Sequence, residues 1–556
     1  MAHLSKTRHL FAFTSPRTIE KIIPEIRLLS QNFEGKKWSN DIQSQFYEDL
    51  FASDFFEGES KAKNTAFAAR DRITRAPKAL GFIDLKPTIQ LTEVGKQLVS
   101  EKRSYEVITK QLLKFQLPSP YHTDKQDLFF VKPYLEFLRL VKAVGSLSKT
   151  EIALFFLQIT KVDKFDEVVA KINKFRVDRD AWKGNRKLFV ENYFEKEIAE
   201  IFAEEIANNE TETRESKDNS FANFVKTKKQ NMGDYADAFI RYIRATQLIT
   251  FQSKTYRVIL APSKIAEVDF ILNNIERNPV LYKSEKEFKD YLFSATNIQL
   301  FNDNRELLIG KLQKLNITFD NNLTLEELKD LLEVSEENIK RLKLQETSLQ
   351  LKNYKEFDDI IDVFGKIQKR EVPDPPLYLE WNVWRAMTMI NYAMSVTGNF
   401  TIDTDGVPLN TASGNKADIE IEYDTFKMIV EVTLSSGNTQ FNMEGESVAR
   451  HFGTMQNNTE KPVFCFFIAP KISDGALAHF FNLNRFKTKA YGGKTRIVPM
   501  SVTNFVDFIT TAKNTNFSHS NTLYNYLDKV VKENQVADDE VIWFDNIKKS
   551  VESWTA

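Results

Sequence analysis

Two consecutive β-prone stretches in the last third of the chain restrict its fold more than any other part of the sequence. Residues 418–423 alternate polar and apolar side chains, as a half-buried strand does, and residues 426–434 are almost entirely apolar. A tight turn at residues 424–425 joins them, so the sequence predicts an antiparallel hairpin. Its ends carry Asp418 and Glu431, and a carboxylate in an apolar strand is costly unless it is paired or bound to metal. We therefore predict that both acids hold one hard cation.

Helices predicted on either side of this hairpin carry further acids. Residues 438–456 have a helical pattern with Glu444 and Glu446, either of which can complete the site. Upstream, Glu380 lies in a predicted helix that can pack over the hairpin. An acidic helix, a strand with Asp, a strand with Glu and a further helix are the order of elements in the PD-(D/E)xK nuclease core. In that core a metal ion activates water for attack on phosphorus.

Two positions depart from the PD-(D/E)xK motif. Ala417 stands where the motif has proline, and Thr433 stands where it has lysine. The spacing of the two hairpin acids alone also fits a surface hairpin with an incidental salt bridge. From the spacing alone, both interpretations stay open.

The length of 556 residues predicts several domains, because a domain averages about 150 residues. Prolines within residues 373–376 break a mostly helical stretch and mark the entry to the last domain. The stretch before them, residues 284–372, is predicted to form a helical linker. Ser284 and Thr324 each begin a Ser/Thr-x-x-Glu pattern, which is typical of a helix start.

Several classes of protein are disfavoured by what the sequence contains. The single cysteine, Cys465, excludes an internal disulfide and a zinc site built from cysteines. No apolar run approaches the roughly 20 residues that cross a bilayer. The N-terminus lacks the charged and apolar pattern of a signal peptide. We therefore expect a cytoplasmic protein without membrane contact.

The N-terminal half contains two segments with the order of elements of a winged helix. In the first, residues 67–80 suit one helix, Gly81 can end it, and two short strands and a further helix follow. A winged helix places its recognition helix in the DNA major groove, although some winged helices bind protein instead, and this alternative stays open. The candidates for base contacts here are Arg70, Arg72 and Arg75, with Arg17 as a weaker one. Lys78, on the same predicted helix, is a further DNA-binding candidate.

The second segment begins at Ser148 and Glu151, which form a predicted capping box, and ends with a helix and strand pair over residues 233–261. Basic side chains between these elements suit phosphate contacts, which give affinity and register without reading sequence. A solvated charged face is the alternative for each of them. The candidates are Arg176, Arg179, Lys226, Lys228 and Lys229.

The net charge of -1 conceals an uneven distribution. Residues 1–120 contain 19 Lys and Arg against 14 Asp and Glu, whereas residues 301–360 contain 9 against 13. A basic nucleic-acid-binding half joined to an acidic helical spacer fits this asymmetry, as does uneven surface charge without function.

A set of short motifs in a fixed order carries a resemblance over nearly the whole chain. In the N-terminal half they are Ser15-Pro16-Arg17, Asn32-Phe33-Glu34-Gly35, Arg70-Asp71-Arg72 and Gly81-Phe82. In the C-terminal half they are Glu380-Trp381, Gly414-Asn415-x-x-Asp418, Glu431-Val432-Thr433, Met443-Glu444, Arg450-His451 and Phe467-Ile468-Ala469-Pro470. With these motifs the sequence resembles the AlwI-type restriction endonuclease family. Within that family it is most similar to the GAGTC-reading group, which includes PleI, MlyI and strand-specific nicking relatives.

The resemblance implies a multidomain α+β protein. It predicts winged-helix recognition subdomains at residues 1–140 and 141–283, the helical linker at 284–372, and an α/β PD-(D/E)xK cleavage domain at 373–556. The implied activity is that of a type IIS enzyme, which hydrolyses DNA with Mg²⁺ a few nucleotides outside a short asymmetric site. A strand-specific nicking endonuclease and a catalytically inactive DNA-binding regulator are the alternatives.

The resemblance also assigns the site and the partners. The family lacks the motif lysine, so Thr433 is an expected departure, and the Val432 carbonyl is implied as a magnesium ligand beside Asp418 and Glu431. The implied catalytic acids are Asp418, Glu431, Glu444 and Glu380. The implied partners are double-stranded DNA, a second copy of the chain during double-strand cleavage, and a cognate methyltransferase.

Overall fold

The computed structural model describes residues 2–4, 7–16, 18–53, 55–56, 61–213, 215–390, 392–412, 415–515, 517 and 519–555. It divides into two compact units, an N-terminal unit of Met1–Phe56 and Lys61–Val334 and a C-terminal unit that begins at Ser335. The chain is thus a multidomain protein of mixed α and β structure. No helix among the described residues is both long and apolar enough to cross a membrane.

The N-terminal unit is mainly helical. Its helices are α1 Ile22–Phe33, α2 Asn40–Phe51, α3 Thr65–Thr74, α4 Ala76–Ala79, α5 Glu93–Val99, α6 Ser104–Lys114, α7 Pro133–Val144, α8 Lys149–Leu154, α9 Phe165–Ala181, α10 Arg186–Ile201, α11 Ala203–Ala207, α12 Phe221–Arg244, α13 Ile265–Asn274, α14 Glu285–Phe293, α15 Arg305–Lys314 and α16 Leu325–Leu351, within which the division between the units falls. Its short strands are β1 Ala2–His3, β2 Ile83–Asp84, β3 Gln90–Leu91, β4 His122–Thr123, β5 Ile249–Phe251 and β6 Val258–Leu260. The strands pair as β1–β4, β2–β3 and β5–β6.

The prediction of one helix over residues 67–80 is wrong, because the helix breaks at Arg75 into α3 and α4. Pro77 lies in the first turn of α4, and a proline inside a helix has no N–H to donate and its ring clashes with the preceding turn. Gly81 follows α4 with a φ of +77°, as predicted for the residue that ends the helix. The β2–β3 hairpin and α5 then follow in the predicted order. Their assignment to a winged helix stays a prediction.

The predicted capping box at the start of α8 is confirmed. The Ser148 hydroxyl accepts from the Glu151 N–H at 3.2 Å, and the Glu151 carboxylate accepts from the Ser148 N–H at 2.7 Å. Glu151 is fully buried and also accepts from Arg176 at 2.7 Å and from Arg257 at 2.6 Å. A buried carboxylate with several charge-assisted bonds fixes α9 and the segment before β6 relative to α8.

The C-terminal unit is built around a mixed sheet. Its strands are β7 Ser395–Gly398, β8 Thr401–Ile402, β9 Pro408–Asn410, β10 Ile419–Glu422, β11 Lys427–Val432, β12 Val463–Ala469 and β13 Ile497–Ser501. Its helices after α16 are α17 Phe357–Gln368, α18 Pro375–Met389, α19 Gly437–Asn457, α20 Asp474–Arg485, α21 Val502–Asn514, α22 Ser520–Val536 and α23 Glu540–Ser550. The strand order is β13-β12-β11-β10-β7, with β11, β12 and β13 parallel and β10 antiparallel to both of its neighbours.

The central strands of this sheet are buried because their residues are apolar on both faces. Every residue of β12 is buried, including Cys465, as expected for a parallel strand covered on both faces. The β10–β11 pair is the hairpin predicted from the sequence, and it continues into β12 through α19. Glu431 lies near the end of β11, where the strand leaves the apolar core.

Candidate active site

The register of the β10–β11 hairpin places Asp418 and Glu431 side by side. Ile419 pairs with Val430, so the next pair outward is Asp418 with Glu431. Directly opposed residues of an antiparallel pair project from the same face of the sheet. The Val432 N–H donates to Asp418 Oδ2 at 2.8 Å and fixes that carboxylate against the end of β11. The predicted adjacency of the two hairpin acids is therefore present.

Glu431 is held by a histidine from the following helix. It is 6% exposed, and its Oε1 lies 2.8 Å from Nδ1 of the buried His451 on α19. The sequence placed His451 on this helix but assigned it no role, because only the packing of α19 on the sheet brings the two side chains together. The contact fixes one carboxylate oxygen of Glu431.

Glu444 precedes His451 on α19, and its side chain approaches the end of β11 that carries Glu431. Burial raises the pKa of Glu444, while a hydrogen bond with the Thr433 side chain opposes the rise. Thr433 thus contributes a hydroxyl at the position where the motif has lysine. By contrast Glu446 is exposed, and its Oε2 lies 3.3 Å from Nε of Arg450. Of the two acids considered for this position, Glu444 is the one that approaches the hairpin acids.

Glu380 reaches the cluster from α18. That helix begins at the Asp374 cap, whose side chain accepts from the Leu377 N–H at 3.4 Å, and prolines occupy its first turn, where their missing N–H costs nothing. Glu380 is 7% exposed, and its Oε2 accepts from the Ala412 N–H at 2.9 Å. Burial, and after it the Asp418 charge, raise the pKa of Glu380 to about 9.

The four carboxylates act on one another electrostatically. Burial and the neighbouring Glu431 raise the pKa of Asp418 well above its usual value. Burial, Glu444 and Glu380 likewise raise the pKa of Glu431. Acids whose pKa values rise together in one place are a recognised signature of a functional site. Like charges held this close favour either bound protons or a cation.

The donor set fits a magnesium ion that is held by one or two carboxylates and by water. It does not fit an ion that is held by protein ligands alone. Across the described ranges, no three His, Cys, Asp or Glu side chains are arranged to hold one ion together. Mg²⁺ usually takes only one or two carboxylates and completes its shell with waters and substrate phosphate oxygens. Asp418 and Glu431 supply such a pair of carboxylates at adjacent positions, and all of the cluster's acids are the oxygen donors that Mg²⁺ prefers.

The predicted DNA-binding residues near α3 and α4 differ in their surroundings. Arg70 is exposed, whereas Arg72 forms an ion pair with Glu25, whose side chain is 2% exposed. Arg75 pairs with Asp71 and donates to Thr14 Oγ1 at 3.3 Å. Lys78 is half-buried with its ammonium 4.4 Å from the centre of the Tyr121 ring. Arg17 lies outside the described residues, as does Gly414 of the motif set.

The predicted phosphate-contact residues also divide into engaged and exposed side chains. Arg176 is bound to Glu151 and to the Val144 carbonyl, and Arg179 pairs with Asp180. The ammonium groups of Lys228 and Lys229 lie 4.5 Å and 5.5 Å from the ring centres of Phe202 and Phe194. Lys226 is exposed.

Comparison with known proteins places the chain in a family. The small subunit of the heterodimeric restriction endonuclease R.BspD6I is 24% identical and covers 35% of this chain and 98% of its own, with a TM-score of 0.31. The BpuJ1 endonuclease binding domain, solved with pyrene- and phenanthrene-modified DNA, is 14% identical and covers 51% of this chain and 95% of its own, with a TM-score of 0.33. No curated protein matches the chain. The AlwI restriction endonuclease family model matches residues 78–508, which is most of the chain, and the chain therefore belongs to the AlwI restriction endonuclease family.

Proposed function

We propose that this restriction enzyme is a magnesium-dependent type IIS endonuclease with a PD-(D/E)xK cleavage domain. The observation that carries the proposal is the cluster of Asp418, Glu431, Glu444 and Glu380 at one end of the β10–β11 hairpin. Burial raises the pKa of all four acids, and neighbouring acids of the cluster raise it further for Asp418, Glu431 and Glu380. A hard dication would offset this repulsion and bind a phosphate of the DNA backbone. Family membership supports the nuclease activity, and the cluster supports the metal dependence.

In the proposed mechanism the side chains have distinct tasks. Asp418 and Glu431, with the Val432 carbonyl, would hold Mg²⁺, and a bound ion would supply activation of water and neutralisation of charge at the scissile phosphate. The Val432 N–H keeps Asp418 in place, and His451 keeps Glu431 in place. Glu444 orients the attacking water through a carboxylate that Thr433 holds.

The substrate proposed for this site is double-stranded DNA. The N-terminal unit, with winged-helix subdomains at 1–140 and 141–283, reads a short asymmetric sequence, GAGTC-like in this proposal. The C-terminal unit cuts a few nucleotides away, and residues 284–372 set that distance. One acid cluster hydrolyses one strand, so a double-strand break requires a second copy of the chain, and a cognate methyltransferase protects host DNA. A strand-specific nicking endonuclease is the second candidate, because the described residues contain one such cluster around the hairpin.

Isosteric substitutions in the full chain test the proposal. Asp418→Asn and Glu431→Gln should each lower cleavage of supercoiled plasmid in Mg²⁺ by about 1,000-fold or more, since metal catalysis contributes several kcal/mol. Specific DNA binding by gel shift should remain close to wild type. Glu422→Gln is the matched control. Glu422 lies at the end of β10, but its carboxylate accepts from Lys461 at 2.9 Å and is not part of the cluster.

The products decide between the two candidates. Linear plasmid means that both strands are cut, and open circles mean nicking. Cleavage at a rate near wild type by either cluster variant would show that the hairpin acids are not the catalytic site.

A further inference from the structure

A cleft of about 860 Å³ lies in the N-terminal unit, between segments predicted as separate recognition subdomains. One part of its lining comes from residues 11–14, from the α3–α4 junction and from the residues around β4. Another part comes from α12, some 150 residues later in the chain. The two halves of the predicted recognition region therefore share one concave surface.

The cleft carries hydrogen-bond donors and acceptors from different elements. Arg75 and Lys78 contribute cationic donors from the α3–α4 junction. Asn231 and Asp234 contribute an amide and a carboxylate from α12, and Tyr235 lies beside them. Positions three and four apart share one face of a helix, so α12 presents these side chains together.

Tyr121, in the lining of the cleft, has a buried hydroxyl. It lines the cleft and is 5% exposed, yet its hydroxyl has no hydrogen-bond partner within the part of the chain that the structure describes. A buried hydroxyl without a partner costs about 1–3 kcal/mol. Binding in the cleft that shifts this side chain and gives its hydroxyl a hydrogen-bond partner would remove that cost.

We infer that the cleft receives base edges of the DNA recognition site and that Asn231 and Asp234 on α12 read them together with Arg75 and Lys78. This inference rests on the proposed function and names the residues that determine its specificity. The sequence predicts base contacts for Arg17 and for the segment around α3 and α4, and for no residue of α12. The structure adds α12 as a second reading element.

The mixed chemistry of the lining favours base edges over phosphate. A phosphate site needs donors only, and the carboxylates of Asp234 and Glu215 would repel phosphate. Base edges in the major groove offer both donors and acceptors. Arginine or lysine suits guanine, asparagine suits adenine, and a carboxylate accepts from the amino group of cytosine. The cleft contains each of these side-chain types.

The experiment measures binding of the full chain to a panel of duplexes in which each base pair of the recognition site is changed in turn. Asn231→Ala and Asp234→Asn should each weaken binding to the cognate site by roughly 5- to 100-fold and remove discrimination at one base pair. Gln230→Ala is the matched control, because Gln230 is an exposed amide on the same helix that does not line the cleft. It should keep the wild-type profile.

A second pair of variants tests whether DNA occupies the cleft, with substitutions that should leave the fold intact. Tyr121→Phe should weaken cognate binding about 2- to 10-fold through loss of one hydrogen bond, without a lower unfolding temperature. Tyr134→Phe is its control, since Tyr134 on α7 has a buried hydroxyl that is also unpartnered within the described residues but does not line the cleft. It should leave binding unchanged.

The outcomes separate this inference from the proposed function. Wild-type protein without any sequence preference would refute the proposed function itself. A sequence-specific wild type whose Asn231 and Asp234 variants keep its base-pair profile, or lose affinity equally for every duplex, would overturn only the reading role of the cleft. Equal binding by Tyr121→Phe and Tyr134→Phe would overturn its occupancy by DNA.

Discussion

Substitution of Glu380 by glutamine should stabilise the metal-free protein, and the gain should grow with pH. The folded protein keeps a proton on Glu380 up to about pH 9, because the side chain is buried beside Asp418, whereas the unfolded chain loses that proton at the ordinary glutamate pKa near 4.5. A folded pKa that is raised gives a contribution to stability that is fully present below the unfolded pKa. That contribution is lost as the pH rises toward the folded value.

The size of the effect follows from this difference in pKa. Each pH unit above the ordinary value lowers the free energy of unfolding of the wild type by about 1.4 kcal/mol relative to Glu380→Gln. The variant should therefore gain about 5 kcal/mol at pH 8 and close to none near pH 4.5. Magnesium should reduce the gain, since a dication beside Asp418 lowers the pKa of neighbouring acids.

Urea unfolding in EDTA, followed by tryptophan fluorescence from pH 5 to pH 8, measures this gain. Trp381 and Trp384 lie on the same helix as Glu380 and report on the C-terminal unit. Glu460→Gln is the control, because Glu460 is exposed on the same unit and its substitution should change the unfolding free energy little at any pH. A gain of equal size at pH 5 and pH 8, or a loss at pH 8, would refute the reasoning.

Two further predictions concern the N-terminal unit and the division of the chain. Arg72→Ala should lower the free energy of unfolding by about 3–5 kcal/mol, because it leaves the buried Glu25 without its cation. Adding Glu25→Gln to this variant should recover part of the loss. An unchanged urea midpoint of Arg72→Ala would contradict the prediction. A fragment ending at residue 334 should fold and bind DNA specifically. One ending near 285 should melt at a lower temperature in circular dichroism, because Gln111 loses its bond to the Leu292 carbonyl and Glu106 loses its bond from Lys329. Equal melting of both fragments would contradict this.

The sequence predicted the part of the site that depends on local pattern. Strict alternation and a short turn determine the β10–β11 hairpin, and the register that follows brings Asp418 and Glu431 together. The helices that carry Glu380 and Glu444 were also predicted from their periodicity. The position of those helices over the strand ends depends on packing between distant segments, and their contacts became visible only in the structure.

The sequence was a weaker guide to the basic residues. Arg72 and Arg176 are of a residue type that often contacts DNA. Their partners, Glu25 and Glu151, lie 47 and 25 residues away in the sequence, and only tertiary packing brings them close. The break at Arg75, by contrast, has a local cause in the sequence, because Pro77 falls inside the single helix predicted over residues 67–80. The cleft side chains on α12 gave no signal, since Asn231 and Asp234 are ordinary polar residues of an amphipathic helix.

The proposed catalytic role of the acid cluster and a structural role predict different effects on stability. Buried carboxylates that raise one another's pKa lower the stability of the metal-free fold at neutral pH, and apolar side chains of similar size would remove that cost. A structural role predicts that neutralising one acid harms both stability and cleavage. A catalytic role predicts opposite signs, with a more stable metal-free protein and a slower nuclease, because strain at an active site is tolerated where the chemistry requires it. Glu380→Gln, measured for unfolding without metal and for cleavage with it, distinguishes these two roles in one variant.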